Sequence, residues 1–393
     1  MKKRVCFVVD SIFTIGGVQR VTAVIAKELA KDYDVTIITF DREEEADRRL
    51  YGLEEADINF VFYSYPQLNR IKDVVNKAYS YLYKNHLPQN KITSDIYAYT
   101  SFPYEMRKSL TKVLRQGHYD TIVAVHAPLA SRLATLRPSL PQTQLVGWIH
   151  NSFEALFGET SHYIGPNRKR HYVYQFRKLN HTVLLCKHDR KSYSQYDSAL
   201  KPTVIYNPLT LKPGDESAGT SKRFLAVGRF APKHKGFDLL IEAFHLFAQT
   251  NSDWHLDIVG EGTEQELYES LIKKYQLEDR ITIHPFTSDI QSYYSQAHVY
   301  VLSSRWEGFG LVLVEAMSHG LPVVSSDLPT SQEIMGDFGL YFKTGDANSL
   351  AQQLEAATRI DWDRKSQEAM EIAKRFEVNH IVDQWKRLIE EQS

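Results

Sequence analysis

Two doubly wound α/β domains, joined near residue 207, are the architecture that this sequence predicts. Three observations lead there: short apolar runs alternating with stretches of helical spacing, a turn-rich break at Asn207–Lys222, and a restart of the same alternation beyond it. The apolar runs read as strands buried on both faces, because a parallel sheet covered by helices needs no polar face.

Arg4–Val9 opens the first domain as a strand. A Gly-Gly turn follows, then Val18–Ala30, where Val21, Val24, Ile25 and Leu29 share one helical face. Val35–Phe40 is a second buried strand, with further strands expected at 59–63, 121–125, 145–149 and 182–186. Beyond the break come a strand at Arg223–Val227, a helix at Asp238–Gln249, a strand at His255–Val259 and a helix at Thr263–Tyr275. Strands at 281–284, 299–302 and 322–325 complete the second sheet, and Arg364–Glu391 ends the chain as a helix. Such sheets bind ligands where loops converge at the carboxyl ends of strands, so the chemistry is sought there.

The 393 residues are 43% hydrophobic and 24% charged, enough for two large cores. A formal net charge of −1 excludes a globally basic nucleic-acid binder. The halves differ, however: residues 1–207 hold 29 basic and 20 acidic side chains, the remainder 18 and 28. This asymmetry points to an anionic partner for the first half, with a chance split between two domains as the competing explanation. Two cysteines, Cys6 and Cys186, are too few for a disulfide framework or a Cys-based zinc site. Both sit in apolar runs, as buried thiols of a reducing cytosol do. Val5–Val9, behind Lys2, Lys3 and Arg4, is too short for a signal peptide, and no run is long enough to span a bilayer. The expected location is the cytoplasm.

Gly16-Gly17, between the first strand and helix, lets backbone amides approach an anion, although a tight turn explains it equally. No acidic residue at the end of the second strand is placed as a dinucleotide fingerprint requires. His150 closes the strand before it and can act as hydrogen-bond partner or general acid–base; His126, also at a strand end, is its rival. Arg229 and Lys235 lie six apart in one loop and can converge on a diphosphate, one as a planar fork and the other as a mobile point charge. Lys233 and His234 exemplify the alternative, an exposed loop with basic residues. Gly260 ends the next strand and permits close backbone approach to a flat group.

The densest signal is Ser303–Met317. There a strand leads into Gly308-Phe309-Gly310 and an apolar helix starting near Leu311, with Glu307 in the turn and Glu315 inside the helix. Amides of Phe309, Gly310 and Leu311 lie beside a position that favours anions. Glu315 interrupts an apolar helix, and a buried carboxylate needs partners such as ribose hydroxyls. No metal site is supported, because Asp32-Tyr-Asp34 and Asp361-Trp-Asp363 do not lie where loops converge.

Gly16-Gly17, His150, Arg229, Lys235, Gly260 and Glu307-x7-Glu315 stand in the order and spacing of retaining glycosyltransferases of family 4, which the chain resembles over nearly its whole length. Ser303–Met317 is especially similar to bacterial members that build capsule, exopolysaccharide or wall glycans. The resemblance implies the GT-B architecture: two Rossmann-like domains, a cleft between them, and a C-terminal helix crossing back. The implied boundaries are 1–207 for acceptor binding, 208–363 for the nucleotide sugar and 364–393 for the crossing helix. It also implies that Arg229 and Lys235 bind and stabilise the leaving diphosphate, that Glu315 binds ribose, and that Gly310 and Leu311, next to Phe309, offer backbone amides. Glu307 would lie beside the transferred sugar, His150 would touch its hydroxyls, and Gly16-Gly17 would close over the diphosphate. Gly260 and Phe286 would flank the base. The donor is then a nucleotide sugar, expected to be UDP-linked, with no cofactor and no metal. A front-face attack with retention fits, since no second carboxylate is placed for double displacement.

Residues 66–118 hold nine basic side chains against Asp73, Asp95 and Glu105, interleaved with Tyr79, Tyr81, Tyr83, Tyr97, Tyr99, Phe102 and Tyr104. That mixture suits an anionic membrane surface or a lipid-linked acceptor, so the protein is expected at the inner face of the cell membrane; an ordinarily solvated helical face is the alternative. Nucleic acid is not expected. Competing functions are a non-catalytic GT-B partner of another transferase, and a GT-B epimerase or phosphorylase.

Overall fold

The computed structural model describes residues 2–159, 161, 163–211 and 216–391. The middle of the turn-rich break, 212–215, lies outside them. The chain forms two compact units, one comprising Met1–Asn207 with Val378–Ser393 and the other Pro208–Glu377.

The first unit holds a parallel sheet of β1 (Arg4–Val9), β2 (Asp34–Thr39), β3 (Ile58–Phe62), β4 (Thr121–Val125), β5 (Gln144–Trp148), β6 (His181–Leu184) and β7 (Thr203–Val204). Their order is β3-β2-β1-β4-β5-β6-β7. Central β1 pairs Cys6 with Thr36 on one side and with Ile122 on the other. Val5 to Phe7 are fully buried, as a strand covered on both faces demands.

The second unit holds β8 (Arg223–Val227), β9 (His255–Val259), β10 (Ile281–His284), β11 (Val299–Leu302), β12 (Val323–Ser326) and β13 (Leu340–Phe342). They are again parallel, in the order β10-β9-β8-β11-β12-β13. The edge strands β7 and β13, of two and three residues, were not expected; they are too short to carry a periodicity.

The last segment differs from the single helix that the sequence suggested. Trp362–Lys374 stays with the second unit, and only Val378–Glu390 joins the first, so the boundary drawn at 364 falls too early. No Gly or Pro marks the break. Buried Phe376 makes it: its carbonyl accepts the Leu209 N–H, and its ring meets Phe309 edge-on at 5.6 Å. The final helix buries Ile381, Val382, Trp385, Leu388 and Ile389, a stripe at helical spacing. Trp385 packs on Trp148 at 4.7 Å, and Gln144 donates to the Leu388 carbonyl at 2.9 Å.

Candidate functional site

In the second sheet the strand order reverses between β8 and β11, which brings the loops following those strands side by side at their carboxyl ends. There the Lys235 ammonium donates to Glu307 Oε1 at 2.6 Å, and the Ser304 hydroxyl donates to the same oxygen at 2.7 Å. The two charged side chains are only 13% and 9% exposed. Burial pushes the Glu307 carboxyl up; Lys235, His234 and the two hydrogen bonds outweigh it and leave the group below its ordinary 4.5. Glu307 is therefore a carboxylate at neutral pH.

His234 is not the exposed loop residue of the alternative reading. Its ring stacks on Trp306 with centroids 4.9 Å apart, and Nε2 lies 3.9 Å from Glu307 Oε1. Burial holds its pKa below 6.5. Several bonds lock the two loops together. Ser303 donates to the Lys235 carbonyl at 2.7 Å, and Arg305 grips Asp238 through two bonds of 2.9 and 2.7 Å. Gly236, with φ at +65°, permits this contact, because a Cβ there would lie 2.2 Å from the Ser303 carbonyl oxygen. Arg229 is exposed in the same loop, near enough for its charge to act on His234.

Gly260 serves a packing need first. A Cβ would sit 2.0 Å from the Gly228 carbonyl oxygen, so the loops after β9 and β8 touch backbone to backbone. Phe286 is exposed beyond β10, at the same end of the sheet.

The helix Leu311–Ser318 starts from Gly310, which is in the left-handed region. Its first amides have no intrahelical acceptor. The Phe309 ring is buried against Phe376, which leaves its backbone as what it can offer a ligand. Glu315 is 2% exposed and accepts from Tyr294 at 3.2 Å and Thr210 at 3.4 Å. The hydroxyl partners implied by a carboxylate in an apolar helix are thus partly supplied by the protein. Tyr294 and Thr210 come from distant segments and carry no motif that could have found them.

In the first unit, Gly16 precedes the helix Gly17–Ala30, and two residues outside the motif hold their loop. Asp41, just past β2, accepts from the Ile12 and Phe13 amides at 2.8 and 3.3 Å. The Tyr51 hydroxyl accepts from the Gly16 amide at 2.8 Å and donates to the Thr14 carbonyl at 3.0 Å. An acidic residue thus does stand at the end of the second strand, turned to the loop amides.

His150 follows β5 and His126 follows β4, with ring centroids 5.4 Å apart; the two readings offered as rivals are one cluster. Both ring nitrogens of His150 are buried without a hydrogen-bond partner among the described residues. Burial, then His126, holds its pKa well below 6.5, so the imidazole is neutral. His126 adopts φ +81°, a strained backbone for a residue with a Cβ. Among the described residues no three His, Cys, Asp or Glu side chains could hold a metal ion together.

The basic–aromatic segment forms three helices, Arg70–Asn85, Lys91–Ser101 and Tyr104–Gln116. Ile71, Val74, Val75, Ala78 and Leu82 recur at spacings of three and four on the first and are all exposed, Ile71 by 75%. Ile92, Ile96 and Tyr99 repeat the pattern on the second. The opposite faces meet through Tyr83 and Tyr97, stacked at 4.4 Å. Among the described residues no helix is long and apolar enough to cross a membrane.

Residues 15–212 match the family described as Glycosyltransferase Family 4, and residues 210–375 match Glycosyl transferases group 1. The chain belongs to glycosyltransferase family 4. This transferase is 28% identical over 334 residues to an uncharacterized glycosyltransferase of Haemophilus influenzae, covering 82% of the chain and 80% of the relative. It is 25% identical, over 89% of both chains, to the N-acetylgalactosamine-N,N'-diacetylbacillosaminyl-diphospho-undecaprenol 4-alpha-N-acetylgalactosaminyltransferase of Campylobacter jejuni. Its backbone matches that of HepE from Anabaena, solved in complex with UDP and glucose, with a TM-score of 0.74 at 20% identity, covering 98% and 99% of the two chains. With its two parallel Rossmann-like sheets, the transferase has the GT-B fold.

Proposed function

We propose that this transferase moves a sugar from a UDP-sugar to a glycan or lipid-linked acceptor in surface polysaccharide synthesis, with retention of configuration and without a metal. The buried Lys235–Glu307 pair, beside Arg229 and the Leu311 helix start, carries the reading. Breaking the sugar–diphosphate bond leaves negative charge on phosphate and positive character on the anomeric carbon. Two cations and oriented amides meet the first, and the Glu307 carboxylate meets the second. Lys235 is already fixed by Glu307, so little reorganisation is needed at the moment of reaction. Glu315 receives the ribose hydroxyls, Gly260 and Phe286 flank the base, and Gly16-Gly17 offers backbone amides to an anionic group. Neutral His150 offers the sugar hydroxyls a donor and an acceptor. The leaving phosphate helps to deprotonate the acceptor hydroxyl on the same face.

The names of two similar proteins support the partners: the Campylobacter relative is named for a diphospho-undecaprenol-linked acceptor, and the Anabaena structure contains UDP and glucose. The exposed apolar stripe of Ile71, Val74, Val75, Leu82, Ile92, Ile96 and Tyr99, flanked by Arg70, Lys77 and Lys84, supports a peripheral position on an anionic membrane.

Saturation-transfer NMR with a panel of UDP-, GDP- and ADP-sugars tests the donor. Selective binding of a UDP-sugar, lost in Glu315→Ala, is expected; no binding by folded protein would overturn the reading in favour of a non-catalytic partner. With a donor in hand, an α-linked product from an α-linked donor, formed at unchanged rate in EDTA, tests retention and metal independence.

A further inference from the structure

Asp10, His126 and His150 follow three adjacent strands of the first sheet, β1, β4 and β5, at their carboxyl ends. β1 and β4 are in register at Val8 and Ala124, which sets Asp10 and His126 side by side two residues on. The Asp10 carboxylate is near enough for its charge to act on the His126 ring. His126 itself makes the turn from strand to helix. Its N–H donates to the Trp148 carbonyl at 2.8 Å, and its carbonyl accepts from the Ala130 N–H at 3.0 Å, where the helix Ala127–Ala134 begins. Between these two bonds the backbone takes φ +81° and ψ 152°, a conformation that glycine adopts without cost and a histidine does not.

Packing does not explain a histidine there. The ring is half-buried, and among the described residues its nitrogens have no hydrogen-bond partner. The neighbouring His150, only 7% exposed, likewise keeps both nitrogens unbonded among the described residues. Groups of this kind are left for a ligand that supplies hydrogen bonds. Burial holds both imidazoles below 6.5, against the pull of Asp10 on His126, so both are neutral and each presents one donor and one acceptor. Among the described residues no Lys or Arg charge acts on either ring, and the exposed Asp10 has no cation within ion-pair distance. Glu307, the other group assigned to the sugar, is a carboxylate as well. Hydroxyl and N-acetyl groups find partners at neutral imidazoles, whereas a sugar carboxylate meets like charge without compensation.

Given the UDP-sugar donor proposed above, we infer that His126 contacts the transferred sugar beside His150, and that Asp10 restricts this sugar to an uncharged one by repelling uronates. Calorimetric titration of the full chain tests both parts. The probes are UDP, the UDP-linked forms of glucose, galactose, N-acetylglucosamine and N-acetylgalactosamine, and UDP-glucuronate and UDP-galacturonate. A neutral UDP-sugar should bind more tightly than UDP, and both uronates about tenfold or more weakly than that sugar. Asp10→Asn should recover most of the difference for the uronates. His126→Gly should weaken the neutral UDP-sugar by about tenfold, leave UDP unchanged, and melt at the same temperature or higher, because glycine relieves the backbone. His126→Asn, which tolerates a positive φ and keeps a donor and an acceptor, should restore most of the affinity.

A uronate bound as tightly as the best neutral sugar, or rejection of uronates unchanged in Asp10→Asn, would overturn the restriction to uncharged sugars. Equal weakening of UDP and UDP-sugar in His126→Gly, or a lowered melting temperature, would make the histidine structural. UDP bound with no sugar adding affinity would overturn both parts and leave the nucleotide site standing. Absence of UDP binding by folded protein would instead sink the donor function itself.

Discussion

Lys235 and Glu307, 72 residues apart in sequence, form a 2.6 Å ion pair in a largely buried setting. The strand-order reversal between β8 and β11 makes them neighbours, and each restrains the group that the other needs. Removing one partner of such a pair is costly, because the remaining charge stays buried. Lys235→Ala is expected to lose about 3 kcal/mol of stability and to cut turnover on the order of 10²–10³-fold. The double variant Lys235→Met/Glu307→Gln should recover most of the stability and none of the turnover. Urea unfolding alongside turnover checks both; an active double variant would remove the pair from catalysis.

Arg229 provides the contrast. It is exposed, so Arg229→Ala should shift stability by less than about 0.5 kcal/mol and still lower turnover by about 10²-fold. A thermal melt and a rate measurement on one preparation test this. Near-normal turnover would show that the diphosphate is met elsewhere.

Glu315 lies inside the helix and is bound by Tyr294 and Thr210. Glu315→Gln keeps the shape and removes the charge. The expected result is a nucleotide-sugar Kd raised about tenfold or more, the scale of a charge-assisted hydrogen bond, with kcat changed far less. A fall in kcat at unchanged Kd would move Glu315 from binding to chemistry.

Among the described residues the two buried ring nitrogens of His150 have no hydrogen-bond partner, a cost that an apolar residue would not carry. His150→Leu should therefore be neutral or stabilising by about 1 kcal/mol, and should lower sugar transfer. Calorimetry and turnover of the variant decide. Loss of stability together with activity would make the histidine structural.

Acid sensitivity follows from buried neutral histidines. His171 is held at about 3 by burial, well below 6.5, with its ring between the Ser94 carbonyl and the Ser131 hydroxyl. A histidine depressed in the folded state contributes stability that is fully present above 6.5 and is lost as pH falls toward the folded value. From this residue about 2 kcal/mol should disappear between pH 6.5 and 5. Unfolding free energies of the wild type and His171→Gln across that range should differ in slope, with the variant flatter. Parallel slopes would refute the assignment.

Local rules made most of the fold legible. Strands buried on both faces, such as Val5–Val9, are continuous apolar runs, and a helix that packs on a sheet shows its stripe, as Val21, Ile25 and Leu29 do. Glycines were legible where geometry demands them: Gly260 touches the Gly228 carbonyl, and Gly310 starts a helix in the left-handed region. The helix break at Phe376 was not, because side-chain burial causes it and no breaker residue marks it.

The sequence by itself determined the chemistry on offer: which loops carry Arg229, Lys235, Glu307 and Glu315, and which half is basic. Those properties reside in residue types and short spacings. Only the tertiary structure decided which charges meet. Lys235 with Glu307, Tyr294 and Thr210 on Glu315, and Asp41 and Tyr51 on the Gly16 loop are contacts between segments that parallel crossovers bring together. No periodicity encodes such pairs, because a parallel sheet places side by side strands that lie far apart in the chain.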